Sequence, residues 1–177
     1  MWVVTGNLSS ELQFDLCSRC HLQGNTVLAE GKSFFDFKPG MQLEEVMNVF
    51  LPTYKDDDSF IMASHVDRLK MSECFLNSNS DLTCVTCHNP HVSVKETSNV
   101  IFNNACISCH ASVEKHSVEQ GKDCVSCHMP KSGSSDIPHV SVTDHKIAIH
   151  KNVSSTEAEN IKEFIGLYCV NNSNPSD

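Results

Sequence analysis

Aromatic side chains are scarce: one Trp, two Tyr and nine Phe, or 7% of 177 residues. A core built from so few rings would be thin. Basic residues are also few, 13 Lys and Arg against 22 Asp and Glu, for a formal net charge of -9. That balance excludes nucleic acid, whose phosphates require a basic face, and it favours basic partner surfaces. No apolar run is long enough to span a membrane. Residues 1–12 contain neither a basic n-region nor an apolar h-region, so they do not read as a signal peptide, and a mature chain or a fragment is expected.

Two residue types are abundant instead, ten Cys and ten His. Eight of the cysteines form four Cys-x-x-Cys pairs: Cys17/Cys20, Cys84/Cys87, Cys106/Cys109 and Cys124/Cys127. Each pair is followed at once by a histidine: His21, His88, His110 and His128. This is the haem c attachment signature, and chance would place His after all four pairs about once in 100,000 trials. The spacing has a physical reason. Two thiols three residues apart on one turn can each form a thioether with a vinyl group of one porphyrin. The next residue then presents an imidazole to the iron from the proximal side. Zinc ribbons and redox disulfides also use such pairs, but neither needs a histidine directly after the second Cys. Four covalent haem c groups are therefore expected, at roughly 44 residues per haem, too little chain to insulate them from one another.

Six histidines remain to fill the far side of the irons. The distal candidates are His65, on a predicted helix; His91, after a proline turn; His116; and His139 and His145, which flank a short alternating segment. Asp144 is placed to orient His145, as carboxylates do for ligating imidazoles. His150 reads as solvated. Met62, Met71 and Met129 read as packing, although a thioether ligand would raise the potential. Cys74 and Cys169 are left over, as a disulfide or as two free thiols.

Along the chain, Leu43, Val46, Met47 and Phe50 fall at helical spacing between Pro39-Gly40 and Pro52, which predicts a short helix. Residues 60–76 read as a second helix, with Ile61, His65, Leu69 and Ser72 on one face. Asp56-Asp57-Asp58 reads as a solvated loop. Residues 81–131 leave little room for regular structure between their motifs, and 132–150 read as extended. Ser154 and Glu157 fit a capping box before a final helical stripe of Ile161, Phe164, Ile165 and Tyr168, and the tail from Asn171 reads as mobile. The expected fold is mainly α with much irregular structure, a compact tetrahaem cytochrome c module organised around stacked haems. Residues 1–150 form that domain, and 151–177 a C-terminal helix and tail packing on it.

The strings CVTCHNPH (84–91), CVSCHMPK (124–131) and HVSVTDH (139–145) resemble the multihaem cytochromes c with doubled CxxCH motifs. The likeness is to the tetrahaem cytochrome c of nitrifiers and to multihaem cytochromes bearing tetratricopeptide repeats. The run PGMQLEEVMNVFLP (39–52) is similar to a connector in the latter group. The resemblance implies His21, His88, His110 and His128 as proximal ligands and His91, His116, His139 and His145 as distal candidates. Relatives with the repeats carry further haem motifs upstream and helical repeats downstream. Neither is in this sequence, which leaves room for its being part of a larger multihaem protein.

The function expected is electron transfer between redox partner proteins in the periplasm or outside the cell, without substrate chemistry of the chain's own. Two alternatives stand beside it. One is a multihaem oxidoreductase with one open haem acting on a small nitrogen compound. The other is a subunit of an extracellular haem filament that donates a histidine across the subunit boundary.

Overall fold

The computed structural model describes residues 5–55, 61–79, 81–111, 123–134, 136–150 and 163–172. Helix α1 (Ser10–His21) starts where the Ser9 hydroxyl accepts the Leu12 N–H, an N-cap that satisfies one of the orphan amides of the first turn. It ends on the first Cys-x-x-Cys-His motif. Strands β1 (Asn25–Leu28) and β2 (Met47–Tyr54) follow and pair antiparallel. Gly24 makes that approach possible: a Cβ there would lie 2.5 Å from the Phe50 carbonyl oxygen. The connection between the two strands turns at Gly31 and Gly40, both at positive φ, where glycine carries no steric penalty.

Short helices α2 (His65–Lys70) and α3 (Glu73–Leu76) come next, then α4 (Cys84–Cys87), α5 (Asn99–Cys109) and α6 (Cys124–His128). A two-residue pair, β3 (Lys131–Ser132) with β4 (Val142–Thr143), precedes β5 (Phe164–Cys169). β5 returns to pair antiparallel with β2, giving the sheet order β1-β2-β5 with a bulge at Thr53/Tyr54.

The main core lies on this sheet. Leu22, Leu43, Val46, Met47, Val49 and Leu51 are buried together, with Leu28, Phe37, Met41 and Tyr168 against them. A smaller cluster of Phe14, Val66 and Leu69 joins α1 to α2. Phe75 stands edge-on to Phe14 there, with ring centroids 5.5 Å apart.

The expected mainly α haem module organised around stacked haems is thus incorrect: the largest apolar core belongs to a three-stranded antiparallel sheet, and the architecture is mixed α and β. Two predicted helices are strands. Residues 43–50 form a single 3₁₀ turn at Leu43–Glu45 and then β2, in which Met47, Val49 and Leu51 alternate inward. Phe164, Ile165 and Tyr168 lie on β5 rather than on a helix; Ser154, Glu157 and Ile161 lie outside the described residues, as does the Asp56–Asp58 run. The predicted helix over 60–76 breaks into α2 and α3, where Ser72 caps the second by accepting the Phe75 N–H. The start of the tail is tied down: the Asn171 side chain accepts the Val49 N–H at 2.8 Å and donates to the Met47 carbonyl at 2.9 Å, extending the ladder past the end of β5.

Candidate functional site

All four motifs sit on helical turns. The first and third occupy the C-terminal ends of α1 and α5, while the second and fourth form α4 and α6. A helical turn puts residues three apart on one side, so both thiols of each pair share a face. All ten cysteines are free thiols, Cys74 and Cys169 included.

The motifs associate in two pairs built alike. α1 packs on α4 and α5 packs on α6, and α4 also meets α5, so the four form a row. In each pair the two leading cysteines meet. Cys17 and Cys84 are within hydrogen-bonding reach, which holds the Cys17 thiol down at about 7 and pushes Cys84 up. Burial, with Cys124 alongside, pushes Cys106 up to about 11. Each pair is also latched by the residue ahead of its second motif. The Thr83 hydroxyl donates to Gln13 Oε1 on α1 at 2.9 Å. Asp123 accepts from Asn99 Nδ2 on α5 at 2.7 Å, and the Cys124 N–H donates to Asn103 Oδ1 at 3.0 Å. Sequence reasoning passed over Gln13, Asn99 and Asn103. Their one signal was a side-chain amide on the helix face that carries the following Cys.

Three of the four trailing cysteines are more open than the leading ones. Cys20 is an exposed free thiol, whereas Cys17 is half-buried. The reason is its place on α1. Cys20 lies in the last turn, one turn past the Cys17–Cys84 contact, where the helix has run beyond the packed junction and Arg19 and His21 flank it. Cys109 and Cys127 are exposed as well, while Cys87 is half-buried and its thiol is pushed up by burial. The polypeptide therefore half-covers one thiol of the first motif and leaves Cys20 open.

Four imidazoles converge at the first pair. His21 and His65 have ring centroids 5.9 Å apart at 88°, and His88 and His145 are 6.2 Å apart at 30°. The His65 and His145 rings touch edge to face at 4.7 Å. Two imidazoles that bind one metal from opposite sides, each through a bond of about 2 Å, have centroids roughly 6 Å apart. The His21/His65 and His88/His145 spacings fit that arrangement, and the His65/His145 spacing is too short for it.

Burial lowers the proton affinity of three of these rings. His145 falls to about 4, through desolvation first and then the neighbouring His65; His65 and His88 are lowered for the same first reason. A neutral imidazole is the form that ligates a metal. Ring orientation is set by the backbone. His145 Nδ1 is 3.0 Å from the Thr143 carbonyl and His128 Nδ1 is 3.0 Å from the Ala148 carbonyl. Donation from Nδ1 leaves Nε2 as the lone-pair nitrogen, the arrangement that tunes metal-bound imidazoles. His65 Nδ1 is buried without a hydrogen-bond partner. A protein-only site rarely leaves such an atom; a ligand bond at Nδ1 itself would satisfy it, whereas one at Nε2 would leave it an unpaired donor.

Asp144 does not orient His145, contrary to expectation. Its carboxylate is taken by Arg68 and by the Lys146 N–H. The remaining distal candidates are dispersed. His91 is exposed on a turn in which its N–H donates to Asn89 Oδ1. His139 is exposed with φ at 62°, in the left-handed region. His116 lies outside the described residues. His150, exposed, places Nε2 3.3 Å from the His128 carbonyl. Among the described residues no three His, Cys, Asp or Glu side chains converge as a protein-only metal site, so the four-ligand cage of a structural zinc is not formed there. Free paired thiols on helical turns, each ahead of an imidazole, together with two imidazole pairs at one-metal spacing, are a donor set that suits covalently attached haem.

No protein-family model, curated protein or solved structure matches this chain. Among the described residues no helix is long and apolar enough to cross a membrane.

Proposed function

We propose that the chain is a tetrahaem c-type cytochrome that carries electrons between redox partner proteins in the periplasm or outside the cell. The observation that carries this reading is the convergence of His21 with His65 and of His88 with His145 at the spacing of two ligands on one metal. The motif resemblance to multihaem cytochromes c supports it. Bound haem c would supply the redox chemistry. Cys17/Cys20, Cys84/Cys87, Cys106/Cys109 and Cys124/Cys127 would hold it by thioethers, with His21, His88, His110 and His128 as proximal ligands. The exposure of Cys20, Cys109 and Cys127 suits this role, because a thiol that no protein group covers is free to meet a vinyl group. His65 and His145 would be further ligands, grouped with His21 and His88 respectively.

The chain's own work is positioning. Burial keeps His65, His88 and His145 neutral, carbonyls fix the rings of His145 and His128, and the two latched motif pairs bring attachment points together. Imidazole on both faces of an iron leaves no open coordination position, which suits electron transfer rather than ligand activation.

The test is pyridine haemochrome quantitation with optical and paramagnetic-resonance spectra of protein produced with haem maturation. Four covalent haems per chain are expected, with the two served by His65 and His145 low-spin and inert to cyanide. His65→Ala and His145→Ala should each open one site, visible as one new high-spin centre. A high-spin wild-type component that binds nitrite or cyanide would move the oxidoreductase alternative ahead. Absence of covalent haem would end the reading.

A further inference from the structure

Within four residues α2 makes three separate attachments. His65 meets His21 and His145. Asp67 accepts the Tyr168 hydroxyl at 2.7 Å, tying α2 to β5. Arg68 closes a two-point ion pair on Asp144, Nε to Oδ1 at 2.9 Å and Nη2 to Oδ2 at 2.6 Å. Both side chains of that pair are nearly inaccessible, 5% and 9% exposed.

A buried ion pair contributes little net stability, because desolvation offsets its Coulomb energy. What a guanidinium–carboxylate fork does well is fix geometry, since two parallel bonds set distance and plane together. Here the fork spans 76 residues of sequence. One end is a single helical turn beyond His65, and the other is the residue before His145. The two sides differ in their other support. α2 is also held by Val66 and Leu69 in the smaller core and by Tyr168. The segment before His145 has the two-residue β3–β4 pair, and Ile147 packs at the edge of the same core.

We propose that Arg68 and Asp144 are positioning residues that hold His65 and His145 together as sixth ligands of two adjacent haems, so that breaking one ion pair perturbs both. This rests on the reading of His65 and His145 as iron ligands. Neither residue touches the iron or its proximal ligands in this scheme; each acts through the element that carries a distal imidazole.

The experiment uses the full haem-loaded chain and compares wild type with Arg68→Met, Arg68→Lys and the double variant Arg68→Met/Asp144→Leu. Haem count is read by pyridine haemochrome, and spin state and g-values by paramagnetic resonance. The count should stay at four, because the thioethers are elsewhere. In Arg68→Met, two of the four haems should leave their wild-type low-spin signals. Arg68→Lys keeps the charge and loses the fork, and should shift the same two signals by less. The double variant removes both buried charges and should restore part of the low-spin intensity. Wild-type signals for all four haems in Arg68→Met and Arg68→Lys would overturn the proposal, as would a change confined to one haem. If His65→Ala and His145→Ala leave the wild-type spectrum unaltered, the ligand reading itself fails, which is a different result from unaltered Arg68 variants alone.

Discussion

The β1-β2-β5 sheet and the row of motif-bearing helices are filled in different ways. Under the sheet, Leu43, Val46, Met47, Val49 and Leu51 are almost wholly buried against one another. The helices α4, α5 and α6 bury none of their own side chains, and α5 leaves Val100, Ile101 and Ile107 half or more exposed. A helix facing water on all sides is normally polar all round. Three branched aliphatics on the surface of α5 therefore belong beside something apolar. The sheet gets its core from the polypeptide; under the proposed function, the row gets its bulk from porphyrin.

The strongest way to break that comparison is to strip one motif pair. Replacing Cys106, Cys109, Cys124 and Cys127 by Ala should lower the haem count from four to two. Amide exchange in α5 and α6 should rise to the unprotected level, while β1 and β2 exchange as slowly as before. Open helices with few buried contacts exchange by local unfolding. If α5 and α6 keep their protection with the thiols gone, the row has a protein core of its own and the contrast is false.

The same contrast explains what could be read from the sequence. The four motifs are local: five residues specify a turn with two thiols and an imidazole, and all four appear as helical turns. Their seating is not local, which is why the exposure of Cys20 beside a half-buried Cys17 had no signal in the motif itself; it depends on where α4 crosses α1. The sheet is not local either. Leu43, Val46, Met47 and Phe50 satisfy helical spacing, yet Met47, Val49 and Leu51 satisfy strand alternation equally well, and short apolar runs do not separate the two. Pro52 pointed away from a strand, but it lies beyond the last pair with β1, where β2 has a neighbour on one side only, a position that tolerates proline. In Phe164–Cys169 the signal was present: Gly166 among Phe, Ile and Tyr disfavours a helix interior and suits a strand. His65 and His145 could be named as distal candidates from their type and surroundings. Their grouping with His21 and His88 depends on contacts between α1, α2 and the 142–147 segment that no single stretch of sequence encodes. Arg68 was invisible for the same reason, since its partner is 76 residues away.

A substitution on the sheet side sharpens the comparison with a smaller effect. Leu43 is fully buried, and Leu43→Ala should cost about 2–5 kcal/mol through lost transfer energy and the cavity left behind. Chemical denaturation followed by far-ultraviolet circular dichroism measures this. Haem count and spin state should stay at wild-type values. A loss of haem alongside the loss of stability would mean that the sheet and the row do not fold as separable parts.

The smallest effect is expected at the seam between the two regions. Asp15 lies on α1, two residues before Cys17, with its carboxylate near the Leu43 backbone. Burial is the leading influence on it and raises its pKa above 3.8, with Glu44 and Glu11 adding to the rise while the Leu43 backbone and Lys70 oppose it. The folded state therefore holds this proton more tightly than the unfolded chain. Asp15 favours the fold most below pH 3.8, and that contribution is lost as pH rises through the raised value. Asp15→Asn keeps an acceptor for Leu43 and removes the buried charge. Its denaturation midpoint should match wild type at pH 3 and exceed it modestly at pH 7. A variant less stable than wild type at pH 7 would show that the carboxylate's interaction with the Leu43 backbone outweighs its desolvation. The joint between sheet and α1 would then be held by charge rather than by apolar packing.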